Sequence, residues 1–291
     1  MGGRGKTPLV AYIARVLLAA GERPAILSRG YGRRIQEDGV VVVSDGVHRT
    51  ADLDRAGDEP LMLARAVPGA MVLVSDVRTL AKAYADRVLG ATITILDDGF
   101  QHRAVPRDVD LVVVTTDDLK GRALPFGRLR ESPSSLSRAT AVVADDELDA
   151  GGRASISNPV FNLRRSLGAP VPIDGAGALR AVPADAPIVA LAGIASPERF
   201  GRALEAHGWR VARLLKFRDH HRYSAADLGR VAAAVRETGA SLVLTTEKDA
   251  VRLLPLRPLP FAAAAVPLAI TLDGPEPFDL WLMRTLRERR R

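Results

Sequence analysis

The chain has 291 residues, about twice the length of a typical domain, so two domains of ordinary size are expected. Apolar residues make up 47% and charged residues 26%, which is typical of a folded globular protein and excludes a disordered chain. The net charge of +7 suits an anionic partner such as a nucleic acid, a phosphorylated substrate or an acidic membrane surface. The sequence contains no cysteine, which excludes disulfides, thiolate metal sites and cysteine nucleophiles.

Membrane-spanning and secreted proteins are not favoured by the apolar patterning. The longest uncharged stretch, 258–272, is interrupted by prolines and is shorter than the roughly 20 apolar residues that a spanning helix needs. The first residues lack the basic and apolar regions of a signal peptide, so an intracellular location is expected. Aromatic residues are only 4% of the chain, which does not favour nucleic-acid binding by base stacking.

The first half of the chain alternates between predicted helices and strands. Helices are predicted at 8–20, 57–67 and 77–89, and strands at 24–27, 40–43, 70–74, 91–96, 111–114 and 141–143. These strands are apolar on both faces, as strands covered by helices on each side must be. The pattern predicts an α/β protein with a doubly wound parallel sheet.

The second half resumes the alternation after a segment rich in Gly, Pro and Ala at 151–186, which is the expected connection between domains. Within it, 160–164 is predicted to be one strand of a connecting ribbon. Strands are then predicted at 188–191, 211–215 and 241–244, with helices at 197–207, 225–238 and 278–290. A second α/β unit is therefore expected.

The first residues resemble the second half of a phosphate-binding loop. Three glycines, Gly2, Gly3 and Gly5, would let backbone N–H groups turn towards phosphate oxygens. Lys6 would reach the outer phosphates, and the Thr7 hydroxyl could bind Mg²⁺. A flexible glycine-rich terminus is the alternative, but the proline-led helix that follows favours the loop.

The start of the chain does not fit a complete loop of this kind. The glycine that usually opens the loop would precede Met1, and so would the buried strand that carries it. Either the natural chain begins upstream of Met1, which is the hypothesis we favour, or the nucleotide site is built without its usual central strand.

Two adjacent acids, Asp97 and Asp98, follow the predicted strand 91–96. Acids at the carboxyl end of a parallel strand lie on the ligand-binding edge of the sheet, and neighbouring side chains point to opposite faces. The two carboxylates are therefore expected to have different roles, one of which is to hold a metal ion. A plain turn is the alternative, but the nearby Gln101 and His102 favour a site.

Further polar residues follow other predicted strands. Asp76 lies at the same sheet edge, although an isolated Asp there is more often a helix N-cap. His220 and His221 follow Asp219, and because no third His or Cys is spaced for zinc, a partner of a general base or a phosphate contact is favoured over a metal site. Arg130 and Glu131, taken alone, are typical of a solvated turn.

Taken together, these motifs resemble the tetraacyldisaccharide 4′-kinase (lipid A 4′-kinase) family. The resemblance runs in order along nearly the whole chain, and Asp-Asp-Gly-Phe-Gln-His at 97–102 is its most specific part. The segments that carry it are 2–8, 28–32, 57–60, 97–102, 129–131, 193–195, 219–221 and 246–250. It implies two α/β/α sandwich domains, with a P-loop NTPase-like parallel sheet in the N-terminal domain (1–155), a short two-stranded linker (156–186) and a smaller α/β domain (187–291).

The resemblance also implies an activity and partners. A member of this family would use ATP and Mg²⁺ to phosphorylate the 4′-hydroxyl of tetraacyldisaccharide 1-phosphate, an anionic acylated disaccharide, in lipid A biosynthesis. It would work as a peripheral protein at the cytoplasmic face of the bacterial inner membrane, with no nucleic acid as partner. Two other functions stay open: a P-loop kinase or ATPase acting on a soluble small molecule, and a basic protein that binds without turnover.

By the same resemblance, individual residues acquire expected roles. Asp76 would accept the proton of the sugar hydroxyl, assisted by His220 or His221, and Asp98 would also belong to the catalytic centre. The metal would be held by Thr7, Asp97 and Asp98. The nucleotide would be bound by Gly2, Gly3, Gly5, Lys6, Thr7, Gln101, His102, Arg130 and Glu131.

Overall fold

The computed structural model describes residues 6–102, 104–145, 147–173, 183 and 185–290. The helices and strands up to residue 167 are α1 (Lys6–Ala19), β1 (Pro24–Ser28), β2 (Val41–Asp45), α2 (Leu53–Ala56), α3 (Asp58–Ala66), β3 (Met71–Val74), α4 (Arg78–Arg87), β4 (Ile93–Leu96), β5 (Leu111–Val114), α5 (Thr116–Leu119), β6 (Ala141–Ala144), α6 (Ala150–Ala154) and β7 (Val160–Leu167). They are followed by β8 (Val171–Pro172), β9 (Pro187–Ala192), α7 (Pro197–Ala206), β10 (Arg210–Lys216), α8 (Ala225–Thr238), β11 (Leu242–Thr246), α9 (Glu247–Leu253), β12 (Ala263–Val266), β13 (Leu268–Asp273) and α10 (Phe278–Arg289).

The strands form three sheets with the orders β2-β3-β1-β4, β13-β7-β6-β5 and β10-β9-β11-β12-β8. The inner strands of each sheet are parallel, as the apolar runs predicted. The fold is therefore α/β, and that prediction is confirmed. The sheets are nevertheless mixed, because β2, β13 and β8 pair antiparallel at an edge, where a strand of either direction can be accommodated.

Local sequence signals explain where several elements begin and end. Helix α8 starts with a capping box in which the Ser224 hydroxyl accepts from the backbone N–H of Asp227, and the Asp227 carboxylate accepts from that of Ser224. It ends at Gly239, whose φ of 65° lies in the left-handed region that closes helices. The prediction of a helix over 225–238 is confirmed.

The largest aromatic cluster joins the end of the chain to its beginning. Phe161 of β7 is fully buried, and its ring centroid lies 5.0 Å from that of Phe278 and 5.1 Å from that of Trp281, both in α10. The same core contains Leu9 and Leu17 of α1. Residues 268–289 therefore pack with the first part of the chain.

Two antiparallel strands run between the sheets of the two halves. β7 pairs with β6 and leads to β8 in the other sheet, while β12 leads back to β13, which pairs with β7 over 162–167. The predicted strand at 160–164 is thus confirmed as part of a two-stranded connection. The domain boundaries predicted at 155 and 186 stay a prediction, and 174–182 lie outside the described residues.

Candidate functional site

A cavity of about 440 Å³ lies at the carboxyl end of β4. Its apolar walls come from α1, α10, β4 and β5, and its charged end is formed by six of the residues that the sequence predicted for the nucleotide and metal site. Those six are Lys6, Asp97, Asp98, Gln101, Arg130 and Glu131. A mostly apolar cavity with a cluster of charged groups at one end is typical of a ligand site.

The start of α1 meets the paired acids at this charged end. Lys6 Nζ donates to Asp98 Oδ1 at 2.6 Å, and Arg130 Nη1 donates to Asp98 Oδ2 at 2.9 Å. Burial opposes ionisation of Asp98, but the hydrogen bonds and charges of Lys6 and Arg130 outweigh it and hold its pKa below the ordinary value. The predicted approach of the amino end to these acids is confirmed in space.

Asp97 occupies a different environment from its neighbour. It is only 7% exposed, and burial, with the negative charge of Glu59 as the next cause, raises its pKa to about 6. No hydrogen bond or ion pair joins its side chain to another residue within the part of the chain that the structure describes. A buried carboxylate without a protein partner is suited to a cation, which agrees with the expectation that the two acids differ in role.

The segment after Asp98 is organised around arginines. Gln101 Oε1 accepts from Arg130 Nη1 at 3.4 Å, and His102 Nε2 lies 2.8 Å from Arg29 Nη2. Since arginine can only donate, Nε2 is the acceptor, and burial together with Arg29 lowers the pKa of His102. Glu131 accepts from Arg138 at 2.6 Å, and that guanidinium covers the ring of Phe100 at 4.7 Å.

Asp76 lies just beyond β3, at the same edge of the sheet. Its carboxylate accepts from Arg33 Nη2 at 2.6 Å, and the aspartate is 72% exposed whereas the arginine is 5% exposed. The N-cap of α4 is Val77, and no side chain caps this helix. The alternative that Asp76 serves as a helix cap is therefore wrong, because the helix starts one residue too late for it.

The two adjacent histidines have different surroundings. His220 Nδ1 lies 2.9 Å from Asp58 Oδ2, and its Nε2 lies 3.2 Å from Lys248 Nζ. His221 instead stacks on Phe217 with 4.7 Å between ring centroids, and its Nε2 lies 3.1 Å from Asp227. His220 is thus placed between the two halves of the molecule, while His221 supports the local packing of the second half.

The structure reveals a buried ionic cluster that the sequence had not assigned to a site. Arg252 Nε in α9 donates to Asp58 Oδ2 of α3 at 2.9 Å, and its Nη1 donates to Asp249 Oδ1 at 3.0 Å. Burial opposes ionisation of Asp58, but Lys248 and Arg252 outweigh it and lower its pKa. These residues lie within or next to the motifs at 57–60 and 246–250, but nothing in one sequence shows that segments so far apart meet.

The burial of Arg78, the first residue of α4, is also seen only in the structure. It is 5% exposed and shares its electrostatic surroundings with Asp97, Asp76 and Asp98. An arginine at the start of a helix gives no sequence signal that separates it from an exposed one.

Two parts of the predicted site are not located by this arrangement. Gly2, Gly3 and Gly5 lie outside the described residues. Across the described part of the chain, no three His, Cys, Asp or Glu side chains are grouped as a metal site would group them. In the same part, no helix combines the length and the apolar character needed to cross a bilayer.

Comparison with known proteins places this geometry in a family. The family model described as tetraacyldisaccharide-1-P 4′-kinase matches residues 1–287. The tetraacyldisaccharide 4′-kinase of Syntrophus aciditrophicus (strain SB) is 34% identical over 99% of this chain and 82% of its own length. The enzyme of the same name from Anaeromyxobacter dehalogenans (strain 2CP-C) is 42% identical over 88% of this chain and 70% of its own length.

A solved structure agrees with the sequence relatives. The crystal structure of LpxK from Aquifex aeolicus in complex with ATP is 29% identical to this chain, with a TM-score of 0.79, and the match covers 98% of this chain and 85% of that one. The fold class expected from the resemblance is thereby confirmed. Because the family model spans almost the whole chain and full-length relatives exceed 30% identity, this chain belongs to the tetraacyldisaccharide-1-P 4′-kinase family.

Proposed function

We propose that this chain is a phosphotransferase that moves the γ-phosphoryl group of ATP to the 4′-hydroxyl of tetraacyldisaccharide 1-phosphate. The observation that carries the proposal is the meeting of Lys6, Asp97 and Asp98 at one end of a cavity, in a chain of this family. The relative from Aquifex aeolicus was crystallised with ATP, which supports ATP as the phosphoryl donor here. The alternative functions, a kinase for a soluble molecule and a non-catalytic binding protein, have no comparable support.

The chemistry of the donor set fits Mg²⁺. Asp97 offers a buried carboxylate without a protein partner, and Thr7 follows the lysine that contacts Asp98. Oxygen ligands of this kind, few in number and completed by phosphate oxygens, are typical of magnesium sites in kinases. Thr7, Asp97 and Asp98 would hold the ion, which would neutralise charge that builds up on the phosphoryl oxygens.

The nucleotide contacts are proposed from the same end of the cavity. Lys6 and Arg130 would release part of their interaction with Asp98 and donate to phosphate oxygens. Gln101 contacts Arg130, His102 contacts Arg29, and Glu131 contacts Arg138; these three would bind other polar atoms of the nucleotide. Gly2, Gly3 and Gly5 stay proposed phosphate ligands.

The proton of the acceptor hydroxyl needs a carboxylate or histidine within reach. Asp76 is exposed at the sheet edge and is the proposed base, and His220 is the histidine proposed to assist, since His221 is held in an aromatic cluster. The hydrogen-bonded pair of His220 and Asp58 is a second candidate, because a carboxylate that orients a histidine is a recurring general base. Replacing Asp76 and Asp58 separately by Asn will show which of them kcat requires.

Because the proposed acceptor carries acyl chains, a peripheral position on the inner membrane is proposed as well. The charge of +7 suits an anionic lipid surface. Next to the site, Leu124 and Phe126 are strongly exposed apolar residues, and Arg122 and Arg128 flank them. Exposed apolar residues between arginines are typical of contacts with an acidic lipid interface.

The decisive experiment measures transfer of radiolabel from [γ-³²P]ATP to tetraacyldisaccharide 1-phosphate in detergent micelles. We expect Mg²⁺-dependent labelling that EDTA abolishes, and no labelling of the acceptor by the Lys6→Met variant. A soluble monosaccharide offered as the competing acceptor should stay unlabelled. Folded wild-type protein that hydrolyses ATP but never labels the lipid would refute the proposed acceptor.

A further inference from the structure

Arg78 is buried without a counter-ion. Its Nη1 donates to the carbonyl oxygen of Ser75 at 2.7 Å, while its Nε is buried and has no hydrogen-bond partner. No carboxylate lies within ion-pair distance of it among residues 6–102, 104–145, 147–173, 183 and 185–290. Burying a guanidinium is costly unless an anion accompanies it, so this placement calls for one.

The charged residues around Arg78 leave its guanidinium available to bind an anionic ligand. Burial and the neighbouring Arg29 lower its pKa to about 10, against the opposite effect of Asp97, Asp76 and Asp98. Two of these carboxylates already have cations: Asp98 contacts Lys6, and Asp76 contacts Arg33. These contacts leave a cation and an anion, Arg78 and Asp97, that have no ion-pair partner among the described residues.

One kind of ligand would satisfy both groups at once. A phosphate group that carries a divalent cation presents the cation to Asp97 and its oxygens to Arg78. A metal ion alone would leave the guanidinium unpaired, and a free anion would be repelled by the carboxylate.

The electrostatic surroundings of Arg78 include both the proposed base and the proposed metal and nucleotide acids. Asp76 and Arg78 follow β3, Arg29 follows β1, and the acids Asp97 and Asp98 follow β4, while β1 lies between β3 and β4 in the sheet. By strand order Arg29 lies between the proposed base and the proposed metal and nucleotide acids. Arg78, on the strand of the base, interacts electrostatically with Asp76, Asp97 and Asp98. A phosphoryl group that moves from nucleotide to acceptor would cross this interval.

We propose that Arg78 is a catalytic residue that binds the γ-phosphoryl group in transit, an inference that rests on the proposed kinase function. The bond between the γ-phosphorus and the bridging oxygen breaks, and its electron pair stays with ADP. A bond from the acceptor oxygen to the γ-phosphorus forms, and the hydroxyl proton passes to the base. Arg78 would donate hydrogen bonds to the equatorial oxygens, whose charge an arginine stabilises in other phosphoryl-transfer enzymes.

The test compares two ligands that differ at the position of the γ-phosphoryl group. ADP with Mg²⁺ lacks the group, and ADP with Mg²⁺ and aluminium fluoride mimics it in transit. Binding of each would be measured by calorimetry for the wild type, Arg78→Gln, Arg78→Lys and the control Arg87→Gln, an exposed arginine of the same helix.

We expect Arg78→Gln to bind ADP within about threefold of the wild type, but to lose about 100-fold or more in affinity for the aluminium fluoride complex. Arg78→Lys should lose less, and Arg87→Gln should lose nothing. Equal losses for the two ligands, or no loss for either, would overturn the proposal.

One further measurement covers the case in which the variant does not fold. If Arg78→Gln does not fold, the Nε resonance of Arg78 in ¹⁵N-arginine-labelled wild-type protein should shift on adding aluminium fluoride to the ADP complex, and an unchanged resonance would overturn the proposal. Neither the calorimetry nor the NMR measurement uses the lipid acceptor. A wild type that labels no lipid but shows these binding differences would therefore refute the proposed acceptor and not the role of Arg78.

Discussion

Replacing Asp97 with Asn should stabilise the protein in the absence of metal and nucleotide. The folded structure raises the pKa of this carboxyl from 3.8 to about 6, chiefly by burial. At about 1.4 kcal/mol per pKa unit, the charged form is disfavoured by about 3 kcal/mol in the folded state. Asn removes the charge and keeps the shape, so most of this cost should disappear at pH 8.

The sign of the pH dependence follows from proton binding. Between about pH 4 and pH 6, folded protein keeps the Asp97 proton more tightly than unfolded protein does, so Asp97 makes the free energy of unfolding fall as pH rises. Above this window the cost is constant, and below it the cost vanishes. The difference in free energy of unfolding between Asp97→Asn and the wild type should therefore be about 1–3 kcal/mol at pH 8 and near zero at pH 4.

Urea unfolding followed by circular dichroism at these two pH values, in EDTA, measures the difference. Adding Mg²⁺ and ATP should stabilise the wild type and not the variant, since the ligand binds only the folded protein with an intact site. A variant that is less stable than the wild type by the same amount at both pH values would refute the reasoning. Such a result would show that contacts of Asp97 stabilise the fold, and that burying its charge does not destabilise it.

The other predictions concern the site and the core. Lys6→Met should lower kcat/KM for ATP about 100-fold or more because a phosphate ligand is lost, with an unchanged thermal midpoint; activity within threefold of wild type in the radiolabel assay would contradict this. Arg252→Met should cost about 3–5 kcal/mol in urea unfolding because Asp58 and Asp249 lose a buried cation, and a loss below about 1 kcal/mol would count against the ionic cluster. Phe161→Ala should cost about 3–5 kcal/mol by the same measurement because its ring is fully buried, whereas a near-neutral result would show that the core collapses around it.

The local elements were largely predictable because their signals are local. The strand Leu111–Val114 and the helix Ala225–Thr238 have the predicted bounds. An apolar run and a capped amphipathic segment can each be recognised from a few neighbouring residues. The pairing of β13 with β7 was not predictable, because its partners are about a hundred residues apart and an edge strand carries little pattern of its own. The packing of α10 against α1 was missed for the same reason.

The site residues also divide into those that local motifs predicted and those that only the tertiary structure reveals. The contact of Lys6 with Asp98 was expected because both follow from motifs whose chemistry requires a shared ligand. The burial of Arg78 and Arg252 was not, since an arginine is exposed in most positions and only the tertiary structure removes it from water. The choice between the adjacent His220 and His221 likewise depends on neighbours from distant segments.

The pairing of β13 with β7 has a consequence for biosynthesis. A ribosome releases the nascent chain from its amino end. The sheet begun by β5, β6 and β7 gains its last strand, β13, only after residue 273 has been made, and α1 gains its packing partner α10 only after residue 289. Until then the ring of Phe161 has neither of its aromatic neighbours. Folding of the first half is therefore completed only once residues 268–289 have been synthesised, and until that point its apolar surface is open to chaperones.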